Sequence, residues 1–131
     1  MRRRVADARV AVLATVDPDG RPHLVPVTFA VDGDRVYTAV DHKPKTTTQL
    51  RRLANIERDE RVTVLVHSYD DDWSALWWCR LRGRGRVLPS SEDSTTARKV
   101  LADKYPQYSD EPLTGPVIAI DVDEWRGWSA R

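Results

Sequence analysis

One cysteine, one phenylalanine, one methionine and six glycines are spread over 131 residues. The lone Cys79 excludes an intrachain disulfide and suits a reducing, cytoplasmic compartment. Charge of one sign is also lacking: 21 Lys and Arg stand against 20 Asp and Glu, leaving +1. That removes any global electrostatic case for nucleic acid, so an anion site has to be local. No apolar run approaches the roughly 20 residues of a membrane span, and no membrane association is expected. The basic residues 1–4 lead into a mixed segment, not the apolar core of a signal peptide. His23, His42 and His67 are scattered without metal-ligand spacing. Nucleophile elbow, Walker motif and dinucleotide fingerprint are all missing. An enzyme of this composition has side chains that carry little chemistry, so a cofactor supplies it while the protein orients and polarises.

What is present reads as strands in hairpin order. The length suits one domain over 1–131. Residues 10–16 form a strand with apolar residues on both faces, which predicts cover on both. Asp17-Pro18-Asp19-Gly20 is a turn, with Pro18 presetting its backbone and Gly20 at a position that favours glycine. A second strand over 23–31 meets the hairpin signal Asp32-Gly33, and a third returns over 35–41. Further strands cover 61–68, 76–88 and 117–122. A short helix ends within 5–9, and another covers 91–105 before Pro106. Between the third and fourth strands the period changes. Leu50, Leu53, Ala54 and Ile56 share a helical face, and Thr46 with Gln49 has capping-box spacing. Six strands without regular helix alternation predict a mainly β fold, a small antiparallel barrel with peripheral helices.

Four features are candidates for function. Lys43 and Lys45 stand just before the helix start, where cations oppose the helix dipole unless an anion sits there. The site is either a solvated basic loop or a phosphate seat, with Thr46, Thr47 and the free N–H groups converging on the anion and Arg51 and Arg52 extending the patch. Pro26 interrupts the second strand, as at an edge or a bulge, and leaves backbone groups free for a planar heterocycle. Arg80, Arg82, Arg84 and Arg86 alternate along one strand and share a face. They need water, carboxylates such as Asp70–Asp72, acids of a second subunit, or an anionic ligand opposite them. Of five tryptophans, the adjacent Trp77 and Trp78 point to opposite faces, one to the core and the other to an interface or ligand.

The segments LATVDPDGRPHLVPVTF, DGDRVYTAVDHKPK, RRLANIERDERVTVLV and DDDW resemble the pyridoxamine-phosphate-oxidase-like split-barrel flavoproteins. More narrowly, they are similar to an actinobacterial branch that uses the deazaflavin coenzyme F420. The resemblance implies a six-stranded antiparallel split β-barrel, homodimeric, with two cofactor sites in the dimer clefts. It implies that the backbone of Pro26, Val27 and Thr28 flanks the cofactor ring. The cofactor phosphate falls either to Lys43 and Lys45 with Thr46 and Thr47, or to Arg51 and Arg52. Hydride would pass between reduced deazaflavin and a small unsaturated substrate near Trp77 or Trp78, with no catalytic side chain required. FMN in place of F420, and a non-catalytic carrier, are the alternatives.

Overall fold

A computed structural model describes residues 1–40, 47–89, 94–113 and 115–131. The strands are β1 (Ala11–Val16), β2 (Pro22–Val27), β3 (Ala30–Asp32), β4 (Arg35–Ala39), β5 (Arg61–Ser68), β6 (Trp77–Leu88) and β7 (Val117–Ser129). The helices are α1 (Arg2–Asp7), α2 (Thr47–Arg58), α3 (Thr95–Lys104) and α4 (Gln107–Asp110). One antiparallel sheet takes the order β2-β1-β5-β6-β7-β4-β3. The two outermost strands, β2 and β3, are consecutive in the chain. A single stretch therefore supplies both edges of the sheet and curls it into a split barrel.

This explains why seven strands stand where six are expected. The predicted strand over 23–31 is broken at Thr28–Phe29, where the chain leaves one edge and joins the other. Both predicted turns form. Gly20 adopts φ +87° and donates its N–H to the Asp17 carbonyl at 2.8 Å, and Gly33 adopts φ +61°. Side chains of L-residues resist such angles, so glycine is needed at both. Strand β7 runs seven residues beyond its expected end at 122, pairing with β6 to Trp77↔Ser129. A bulge at Arg82/Gly83 brings the backbone so close that a Cβ on Gly83 would lie 2.2 Å from the Asp121 carbonyl oxygen.

Two apolar cores follow from strand alternation. Inward-facing Leu13, Val25, Val36, Val64, Leu81 and Ile120 fill the barrel. Outside it, Ala30, Tyr37, Ala39, Val117 and Ala119 from β3, β4 and β7 are sealed beneath Ala97, Leu101 and Tyr105. Helix α2 packs on β1 and β6 through Leu53 and Ile56. Its buried face differs from the one expected: Ala54 is exposed, whereas Arg52 and Asn55 are buried. The reason is polar. Asn55 Nδ2 donates to Thr15 Oγ1 at 3.0 Å and to Asp17 Oδ1 at 2.9 Å. The expected cover on both faces of β1 also fails within the chain, because its outward residues are only half-buried. The capping pair begins at Thr46, outside the described residues.

Candidate functional site

Among the described residues no helix covers the outward face of β2, β1, β5 and β6, yet beside the β6 arginines it carries an apolar stretch of Val12, Ala14, Leu24, Pro26 and Leu65. Register places Pro26 beside Val12, Val12 beside Leu65, and Leu65 beside Arg80. That row crosses four strands, about 14 Å at the usual strand spacing. Leu24 is 61% exposed and Leu65 37%. With His67, Trp78 and Arg80 they line a shallow groove of about 630 Å³. Trp78 lies one step further along the sheet, opposite His67, toward the end of the barrel that holds Thr28. A concavity of about 660 Å³ between Arg58, Glu60 and Arg86 is bordered by charges of both signs instead.

At the break between β2 and β3 the backbone is held by side chains. The Phe29 N–H donates to Tyr105 Oη at 3.2 Å. The Tyr105 hydroxyl lies within donating distance of the Phe29 and Arg9 carbonyls, at 3.0 and 2.9 Å. Thr28 Oγ1 and Tyr108 Oη share a 2.7 Å hydrogen bond, and Thr38 Oγ1 donates to the Thr28 carbonyl at 2.7 Å. Lys104 Nζ sits 4.0 Å from the Phe29 ring centroid, shielded from water and without a hydrogen-bond partner among the described residues. Burial, aided by the Arg9 charge, pulls its pKa down to about 8. These groups fix the backbone of residues 28 and 29 while β2 remains an open edge.

The other end of β1 carries a charged anchor. Arg51 grips Asp17 with two bonds, Nε to Oδ1 at 2.9 Å and Nη2 to Oδ2 at 2.5 Å. Arg58 Nη2 donates to the Val16 carbonyl. The Arg51 and Asn55 hydrogen bonds hold the Asp17 carboxyl below its ordinary pKa. This network docks α2 onto the Asp17–Gly20 turn. Val12 and Asp17 are five residues apart, so the Pro26 row and the Arg51 anchor are separated by about 17 Å along the strand.

The sequence-predicted residues thus fall into separate groups. Pro26 is exposed and outward, Val27 is buried and inward, and Thr28 sits at the break. Trp78 faces the bare wall, while Trp77 is half-buried against the barrel core. Arg51 is engaged with Asp17, Arg52 is 8% exposed, and Thr47 opens α2. Lys43, Lys45 and Thr46 lie outside the described residues. The four arginines do share the outer face, and two meet carboxylates of β7 rather than Asp70–Asp72: Arg84 pairs with Asp123 at 3.3 Å and Arg86 with Asp121 at 2.6 Å. Sequence reasoning passed over Asn55, Tyr105 and Tyr108. Asn55 had a signal, a polar residue one turn after Arg51 inside an amphipathic helix. The tyrosines had none, because they meet Thr28 and Phe29 only through the fold.

Known proteins are similar in the same way. A search of curated proteins found no match. Among solved structures, the conserved hypothetical protein Rv2991 from Mycobacterium tuberculosis has a TM-score of 0.77 at 22% identity, covering 100% of this chain and 86% of its own. An FAD-binding protein from Mesorhizobium loti has a TM-score of 0.73 at 19% identity, covering 94% of this chain and 85% of its own. The heme storage protein HutZ from Vibrio cholerae has a TM-score of 0.69 at 15% identity, covering 92% and 85%. These likenesses concern the fold. The family model described as pyridoxamine 5'-phosphate oxidase matches residues 1–129, and the chain belongs to that family.

Proposed function

We propose that the protein is a reductase that binds coenzyme F420 and passes hydride between the reduced deazaflavin and a small unsaturated acceptor, as a cytoplasmic homodimer. The observation that carries this reading is the bare apolar wall next to an open strand edge at Pro26–Thr28. A flat cofactor ring can rest against that edge, its polar rim meeting backbone groups that β2 does not spend on a neighbouring strand. A second copy would cover the remaining apolar surface, since monomers rarely leave a contiguous patch of this kind in water. The bound deazaflavin supplies the hydride chemistry. This chain's residues then have two tasks: to hold the ring and phosphate, and to keep water from the acceptor. The acceptor would stack beside Trp78, the tryptophan that faces the wall.

The tail phosphate is assigned to the residues at and just before the start of α2. Because Asp17 already occupies Arg51, the reading favours Lys45, with Lys43, Thr46 and Thr47, over Arg51 and Arg52. Lys45→Ala then weakens cofactor binding at least tenfold, about 1.4 kcal/mol. If only Arg52→Ala does so, the anchor lies on the helix. Fluorescence titration with each cofactor separates the readings. Micromolar affinity for FMN with none for the deazaflavin sinks the proposal and favours a flavin enzyme, the reading to which the FAD-binding structure lends support. Tight deazaflavin binding with no turnover on any quinone or enone favours a carrier.

A further inference from the structure

The arginines of β6 do not share one fate. Arg84 and Arg86 each meet an aspartate of β7, and Arg82 lies across the ladder from Glu124. Arg80, by contrast, lies directly opposite Arg126. Like charges facing each other across an antiparallel pair destabilise it. Neither guanidinium has a salt bridge among the described residues, and Arg80 Nε is shielded from water without a hydrogen-bond partner. The Arg80 guanidinium instead lies 5.8 Å from the Trp78 ring centroid. The next pair on the same face, two residues along, is Trp78↔Trp128. Two cations without salt bridges and two indoles thus hold neighbouring ladder positions on one face, and of these Arg80 and Trp78 line the groove with Val12, Leu24 and Leu65.

We infer that Arg80 and Arg126 form an oxyanion seat, and that the groove takes a flat, apolar, conjugated molecule bearing a carboxylate or a similar oxyanion. The paired strand positions put two donor forks side by side, which suits bidentate capture of an oxyanion. Trp78 and Trp128 offer faces to a planar body, and the apolar row receives the remainder. An anion here relieves the like-charge contact, so the cost of the free site is recovered on binding. This deepens the proposed function by naming the acceptor class, and rests on it only for the redox role. The seat is tested without any cofactor, so a failure here and a failure of the cofactor reading are told apart.

The probe is 2-naphthoate, with neutral 2-naphthamide of the same shape as control, titrated into the full chain by calorimetry. The expected result is that naphthoate binds more tightly than the amide. Arg126→Gln then weakens naphthoate at least tenfold and the amide less than twofold, while the melting temperature holds or rises. Arg126→Lys, which keeps the charge but loses the fork, weakens naphthoate less than Arg126→Gln does. Arg80→Gln repeats the selective loss. Equal losses for both probes, or no loss for either, overturn the proposal. So does dissociation of a dimer by Arg126→Gln in sedimentation, because the arginines would then be meeting acids of the second copy.

Discussion

Two outer walls of this barrel are built alike and end differently. On β3, β4 and the first half of β7, the outward residues Ala30, Tyr37, Ala39, Val117 and Ala119 lie beneath α3 and are nearly dry. On β2, β1 and β5, the outward residues Val12, Leu24, Pro26 and Leu65 are just as apolar, and among the described residues no helix lies over them. An alternating strand with one face in the core ordinarily turns polar residues to water. Apolar residues on the second face mean that something else covers it. For the first wall the cover is in the same chain. For the second, the proposed function supplies it as a ligand, a second copy, or both.

The comparison breaks most visibly at the covered wall. Leu101 is fully buried between α3 and the sheet. Leu101→Ala is expected to cost about 2–5 kcal/mol, the range for a buried leucine with little room to collapse. Urea unfolding at fixed protein concentration measures it. A loss under about 1 kcal/mol would mean that α3 is not what keeps this wall dry.

Next in size is the bare wall. Leu24→Lys replaces an exposed side chain, so unfolding of the isolated chain should move by no more than about 0.5 kcal/mol. Its effect appears in association instead. In sedimentation equilibrium the dimer constant should weaken about a hundredfold, or about 2.7 kcal/mol. An unchanged constant places the dimer surface elsewhere and leaves the wall to ligand alone.

How each wall came to be readable differs too. The hairpins, both glycine turns and the outward march of Arg80 to Arg86 follow from local rules of period and turn chemistry, and they were legible. The break at Thr28–Phe29 was not. Within the sequence, 23–31 is one continuous β pattern. Only closure of the sheet decides that its two halves lie on opposite edges. The same holds for Arg126 opposite Arg80, a pairing set by the register of two long strands and shifted by the Gly83 bulge. Asn55 misled the helix-face reading because its burial rests on hydrogen bonds to Thr15 and Asp17, which a hydrophobic pattern cannot show. Local pattern thus identified the walls, but not which residues of distant segments meet across them.

The smallest predicted effect concerns the cost of the cover itself. In placing α3 over its wall, the fold also pins Lys104 against the Phe29 ring, where burial lowers its pKa from 10.5 to about 8. Arg9 opposes the charge and Asp7 favours it, and burial outweighs both. Below pH 8 the lysine is protonated in folded and unfolded chains alike, so the penalty for burying its charge is fully present. Between pH 8 and 10 the unfolded lysine binds more protons than the folded one, so its contribution to stability rises with pH, against the opposing contribution of the Cys79 thiol, whose pKa burial pushes up. Tyr105, whose pKa burial raises above its ordinary 10, reverses the trend beyond that window. Lys104→Met keeps the stem and removes the charge, so it should abolish the rise between pH 8 and 10 while leaving the acid limb unchanged. Melting temperatures at pH 7, 8.5 and 9.5 decide it. If the variant keeps the alkaline rise, the ammonium is hydrated at the break and the cover imposes no electrostatic cost there.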